Sequence, residues 1–316
     1  TPLPTPTGWT TMGEVHVGDT LIGADGRPTT VLATTDVMHD RPCYAVEFSD
    51  GTTIVADEKH QWPTQRGTRT TGQLRPDRDT ICAAAAITLP TVKPSTLPMT
   101  PYTAGRFLGD PSTRRTPAIP VRELHPYLRA SDKQRRSLLR GLVQAAGHRD
   151  GTAVTIRLRP NRPPYKAFVQ ELLHSLGYVL DPDSASYTAR FHEHPPDASP
   201  PARTVTARRP IASVAVRCVQ VDNADHTYLA GHAMVPTHNS TLGLDFMRSC
   251  SIKHGLGSII FSLEMSKSEI VMRLLSAETS IKLADMRAGR MGDADWTKLA
   301  RRMSESAAQS KLLEGL

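Results

Sequence analysis

The chain has 316 residues, enough for two or three compact units, with 39% hydrophobic and only 5% aromatic residues. Its net charge of +7 suits a nucleic-acid partner and is equally explained by solubility. Four cysteines without a CxxC pair, no apolar run of membrane-spanning length and no secretory segment argue against a disulfide scaffold, a zinc site and a membrane protein, and for a reducing, cytoplasmic setting.

From Gly13 to Phe48, short β-branched runs (VHVGDTLIG, RPTTVLATTDV, CYAVEFSDG) are punctuated by Gly-Asp and Asp-Gly turns, and Thr53–Ala56 adds another strand. The pattern resumes at Ile211–Val221 and Thr227–Leu229, so the economical reading is one all-β unit split by an insertion. Many of the 25 prolines fall between Pro90 and Pro210, which predicts a loop-rich middle. Within the insertion, TAGRFLGDP (Thr103–Pro111) and LRGLVQAAG (Leu139–Gly147) read as helices. After them come a strand-like AVTIRLR, a helix-like YKAFVQELLHSLG and a strand-like SYTARFHEH.

At Ser240 the composition changes to helix, strand, helix: STLGLDFMRSC, GSIIFSLEMS, EIVMRLLSAE. The residues at this break, His238-Asn239-Ser240, suit self-cleavage. The Asn239 carboxamide can attack its own backbone carbonyl and form a succinimide, His238 can donate a proton, and the Ser240 hydroxyl can accept an acyl group. Alone, the tripeptide is usually a surface turn.

Its partners upstream carry a resemblance. The opening TPLPTPTGWTTMGEVHVGDTLIGADGRPTTV, GTTIVADEKHQW (Gly51–Trp62), VRCVQVDNADHTYLAG (Val216–Gly231) and AMVPTHNS (Ala233–Ser240) resemble the conserved blocks of inteins, the self-excising protein elements. Residues 240–316 resemble DnaB-type hexameric replicative helicases just after their phosphate-binding lysine. The two resemblances cover about two thirds of the chain and imply a partial intein-bearing helicase precursor, without its first intein residues or an initiator Met. The implied fold is a mainly β HINT horseshoe interrupted by an α+β remnant and followed by a truncated α/β RecA-like segment. The expected boundaries are 1–94 and 205–239 for the splicing unit, 95–204 for the insertion and 240–316 for the helicase.

Trp62, Cys218 and Thr237 resemble the signature of class 3 inteins, which dispense with an N-terminal nucleophile; Cys218 stands where the common pattern has Asp. The resemblance implies that Cys218 attacks the upstream junction carbonyl directly and forms a thioester. Ser240 then takes the acyl group, Asn239 cyclises, and an O-to-N shift restores a peptide bond. A thiolate is nucleophilic enough for such an attack near neutral pH. His60 would protonate the leaving nitrogen or polarise the scissile bond. Asp57, where the family more often has Thr, would hold the His60 tautomer or hydrogen-bond the junction backbone. Trp62 would pack against Cys218, and Thr237 would orient Cys218 or His238. His226 either assists Asn239 or is structural. Taken singly, Cys218 and Trp62 would be core fillers and His60 a turn histidine; the combination carries the reading. No cofactor is expected for splicing.

The two helical motifs of the insertion resemble those of LAGLIDADG homing endonucleases, which need a carboxylate from each helix on shared divalent metals. Asp110 supplies one, but Ala146 occupies the second position, and only about thirty residues separate the motifs. The expectation is a nuclease relic dispensable for splicing. The alternative is a homing endonuclease or DNA-binding protein using Lys133, Arg135, Arg136 and Arg140, a cluster that is ordinarily a solvated helix face. In the helicase segment, Ser240 and Thr241 match the end of G-x-x-x-x-G-K-[ST], so Ser240 would ligate magnesium in the spliced product. Glu264 matches the water-activating glutamate. The spliced helicase would use ATP and magnesium, bind DNA and form a homo-hexamer; this segment alone would not hydrolyse ATP.

Overall fold

The computed structural model describes residues 1–110, 121–158, 163–182, 187–193, 200–238, 251, 254, 256–258, 267–279, 281, 286 and 291–313. The chain forms two compact units, Thr1–Ser240 and Thr241–Leu316.

The first half of the β unit runs β1 Pro2–Pro4, β2 Trp9–Thr11, β3 Thr20–Ile22, β4 Pro28–Thr34, β5 Cys43–Phe48, β6 Thr53–Asp57, β7 Gln61–Thr64, β8 Gly67–Thr70 and β9 Thr80–Cys82. The insertion carries α1 Pro101–Gly109, α2 Val121–Leu128, α3 Asp132–Ala146, β10 Gly147–Asp150, β11 Ala153–Arg157, α4 Pro163–Ser175 and β12 Thr188–His192. The chain then returns as β13 Ala202–Ile211, β14 Val219–Val221, β15 Thr227–Ala230 and β16 Val235–His238. In the second unit the described helices are α5 Lys267–Thr279 and α6 Asp293–Leu313, joined by an Arg302–Glu278 ion pair of 2.6 Å.

Alternation does what the sequence pattern predicts. In β4, Thr29, Val31 and Ala33 face inward while Leu32 faces solvent. Strands from both halves of the sequence interleave: β13 pairs with β5 and β9, β14 with β4, and β16 with both β15 and β7. One core of Val31, Val46, Phe48, Trp62, Val205, Val221, Tyr228 and Val235 results. The long returning strand lies before Ile211 rather than after it. Val219–Val221 is a separate short strand, and between them Val214 is exposed. β13 also begins at Ala202, ahead of the expected boundary at 205, because Ala202–Thr204 completes the pairing with β9.

The insertion has its own core around Leu138, Leu142, Val154, Phe168 and Phe191, with β10, β11 and β12 in one antiparallel sheet. Its first and third helices are packed backbone to backbone. A Cβ on Gly105 would lie 2.0 Å from the Leu138 carbonyl oxygen, and one on Gly141 would lie 2.1 Å from that of Tyr102. Only glycine permits that approach.

The insertion and the β unit, expected as separate domains, share one compact unit. Arg135, counted in the sequence among solvated basic residues, is fully buried. Its guanidinium donates to the carbonyls of Ala130, Ser175 and Ile87 and to the Ser175 hydroxyl. Because Ile87 belongs to the β-unit side and Ile87 N–H also donates to Ser175 O at 2.9 Å, the two parts are tied by a buried polar clamp.

Candidate active site

The site forms where β7 meets the last hairpin. Gln61 of β7 is the register partner of His238 in β16, and Thr227 of β15 is its partner on the other side. His60 and Trp62 flank Gln61 in sequence, so one strand crossing gathers His60, Trp62 and His238. Gln61 Oε1 lies 3.1 Å from His238 Nδ1; with the N–H on Nδ1 donating, Nε2 is the basic ring nitrogen of His238.

Trp62 has no exposed surface. Its indole N–H donates to Thr71 Oγ1 at 3.0 Å, and its ring meets His60 and Phe48 edge-on at 4.8 and 5.8 Å. His60 is held by its backbone: N–H to Asp57 O at 3.1 Å, and O accepting from Thr71 N–H at 2.8 Å. Its Nε2 is buried with no hydrogen-bond partner among the described residues. Desolvation lowers the His60 pKa to about 4, opposed by the Asp57 charge and reinforced by His238. The ring is therefore neutral at pH 7.

Asp57 is buried, and its carboxylate accepts from Lys59 N–H at 2.6 Å and faces Arg41 at 3.4 Å. It thus shapes the turn that carries His60, and no described hydrogen bond joins it to the His60 ring. Cys218 is half-buried just before β14, fixed by a pair of bonds to Thr35: its N–H to Thr35 Oγ1 at 3.1 Å and Thr35 N–H to its carbonyl at 3.0 Å. Thr237 donates from its hydroxyl to Tyr228 O at 3.0 Å. His226 is exposed at a left-handed turn (φ 50°), with Nδ1 3.4 Å from Val221 O, which fits a structural role. Asp110 caps α1 beside the end of α3, where Ala146 is the last residue. Asn239, Ser240, Thr241 and Glu264 lie outside the described residues.

Two residues of the site were missed by the sequence pattern. Gln61 reads as an ordinary spacer, yet its side chain bonds the His238 ring across the sheet. Tyr228 is buried opposite Thr237; desolvation raises its pKa, with Cys218 and Asp57 both in electrostatic range. Its signal was a tyrosine on a strand otherwise filled by small or aliphatic residues.

Among the described residues, no group of three or more His, Cys, Asp or Glu is arranged to hold a metal, and no helix is long and apolar enough to cross a membrane. A model of the DnaB-like helicase C terminal domain matches residues 223–313. Two proteins named replicative DNA helicase DnaB align with 96% of this chain. The one from Mycobacterium intracellulare is 44% identical over 398 aligned residues, covering 69% of its own length. The one from Mycobacterium leprae (strain TN) is 47% identical over 305 aligned residues, and this chain spans only 34% of it. A crystal structure of the MchDnaB-1 intein is 34% identical, with 75% of this chain and 95% of that one covered at a TM-score of 0.37. On this sequence identity and coverage, the chain belongs to the replicative DNA helicase DnaB family.

Proposed function

We propose that residues 1–239 are an intein that excises itself from a replicative helicase precursor, with the helicase sequence resuming at Ser240. The observation that carries the reading is the strand crossing. It brings His238, next to the Asn239–Ser240 step, against Gln61 and so beside His60 and Trp62. Membership of the helicase family supplies the context, since a split β unit is an unexpected neighbour for the helicase segment unless it leaves.

In this reading the Cys218 thiol loses its proton and its sulfur attacks the carbonyl carbon of the upstream junction. A thioester forms, the peptide C–N bond breaks, and the nitrogen departs with a proton. Neutral His60, with Nε2 unpartnered, can accept a proton and, once charged, is acidic enough to return it to the leaving nitrogen. The acyl group passes to the Ser240 oxygen. The Asn239 side-chain nitrogen then attacks its own backbone carbonyl, the bond to Ser240 breaks, and the new amine takes a proton with His238 as donor. Transfer of the acyl group from oxygen to that amine leaves an ordinary peptide bond. Trp62 and Tyr228 keep this pocket dry, and Thr237 fixes the hairpin that bears His238. No step needs a cofactor.

The insertion is read as a LAGLIDADG relic: the glycine-mediated pair of α1 and α3 and one three-stranded sheet support that ancestry, and Asp110 without an acid at Ala146 supports the loss of cutting. The spliced helicase would bind ATP with magnesium through Ser240 and Thr241, use Glu264 to activate water, and act on DNA as a homo-hexamer.

The test is a precursor with a reporter joined ahead of the chain through the helicase's own upstream residues, followed by mass spectrometry. The expected products are the joined flanks and an intein ending in a succinimide. Cys218→Ala should abolish upstream cleavage, and Asn239→Ala should block release of residues 240–316. Continued release from the Asn239→Ala chain would overturn the reading.

A further inference from the structure

Arg203, the second residue of β13, forms an ion pair with Asp50 in which the two side chains are 2% and 1% exposed. Its Nη2 also donates to the Ala233 carbonyl at 2.9 Å, while Nη1 is buried without a partner among the described residues. Three turns or strand ends therefore meet at one guanidinium. Asp50 sits in the turn between β5 and β6, where its other oxygen accepts from Thr52 N–H at 3.0 Å. Ala233 sits in the four-residue turn between β15 and β16, where Gly231 and Met234 both take positive φ, 74° and 52°.

That hairpin has a demanding task. Ala230 pairs with Val235 at its tip, and Thr227 pairs with His238 at its open end. A slip of one residue would turn every side chain of β16 to the opposite face. His238 would lose Gln61, and Thr237 would lose the Tyr228 carbonyl. A methionine in the left-handed region is strained and persists only where its surroundings hold it. Arg203 bonds this turn from within through the Ala233 carbonyl, and a buried ion pair is costly to keep for stability alone.

The insertion approaches the arrangement. His174 of α4 is buried with Nδ1 3.2 Å from Tyr178 O, and both Arg203 and Asp50 act on it electrostatically. A Cβ on Gly51 would touch Pro182 of the insertion at 4.0 Å. Two residues of the insertion, His174 and Pro182, thus lie near the ion pair and the turn that carries Asp50.

We infer that Arg203 is a positioning residue for cleavage at Asn239, acting through the Ala233 carbonyl to fix the register of β16, and that the insertion enforces this by packing beside the Asp50–Arg203 pair. The inference rests on the intein reading. It gives the relic a present role and assigns control of the downstream junction to a residue remote from both junctions in sequence.

The experiment compares both junctions in the reporter-bearing precursor. Arg203→Lys keeps the charge beside Asp50 but loses the forked reach to Ala233. Loss of one charge-assisted hydrogen bond should slow release at Asn239 about tenfold. Cys218-dependent upstream cleavage, read by thiol-induced release of the reporter, should stay within about twofold of wild type on the same scale. Should Arg203→Lys not fold, Asp50→Asn provides the same comparison, with the same selective slowing expected. Unchanged release, or slowing of both junctions in parallel with a lowered melting temperature, overturns the inference. A wild-type precursor that releases nothing at Asn239 would instead sink the intein reading itself.

Discussion

A tryptophan with no exposed surface still needs somewhere to send its N–H, and Trp62 sends it to Thr71, whose hydroxyl in turn bonds the His60 carbonyl at 3.3 Å. One side chain thereby fixes the backbone beside the histidine. Trp62→Phe keeps an aromatic body but removes the donor and leaves a gap. It should cost about 2 kcal/mol in urea denaturation, and an unchanged midpoint would show that the bond carries nothing. His60 and His174 make a second prediction at this scale. Both have pKa values lowered from 6.5 to about 4, chiefly by desolvation. As pH falls below about 6.5, an unfolded chain binds these protons first and the folded one resists until about 4. The contribution to stability is full above pH 6.5, falls between 6.5 and 4, and levels off below. His60→Gln should flatten part of that fall in midpoints measured at pH 7 and pH 5; an identical fall would place the acid sensitivity elsewhere.

Among the elements, the hairpin of β15 and β16 and the pair of α1 and α3 each rely on a backbone feature that a side chain would spoil. Gly105→Ala would drive a Cβ into the Leu138 carbonyl, so the helices must part. The expected cost is about 3 kcal/mol, the upper range for overpacking a tight interface. It should appear as loss of the insertion's protection in hydrogen exchange, while the β unit's strands stay protected. The sequence exposed these helices through their motifs and small residues. It could not give β13 its correct start, because Ala202–Thr204 is a strand only by pairing with Thr80–Cys82, over a hundred residues earlier.

For the first compact unit, Thr1–Ser240, the insertion is packed onto the β unit. Arg135 reaches Ile87, and the Asp50–Arg203 pair acts electrostatically on the buried His174 of α4. Replacing residues 95–199 by a short flexible linker should preserve upstream cleavage, which depends on Cys218. The same deletion exposes the ion pair to water, weakening it by about 1 kcal/mol. Release of residues 240–316 should slow about fivefold in the reporter precursor. Equal release from the deleted and full chains would restore the relic to a bystander.

By itself the sequence determined the β-branched runs and their turns and the split of the β unit around an insertion, and it displayed the set of Trp62, Cys218 and Thr237 with the His238-Asn239-Ser240 step. These were legible because strand alternation, turn chemistry and nucleophile type are local properties. Gln61, Tyr228 and Arg203 were not legible, nor was the burial of Arg135. Each owes its role to a partner 40 to 180 positions away: Gln61 to His238, Tyr228 to the Asp57 carboxylate, Arg203 to Asp50, and Arg135 to Ile87. A charged or amide side chain reads as solvated until the fold removes its water, and only tertiary pairing decides which of them must find a partner inside.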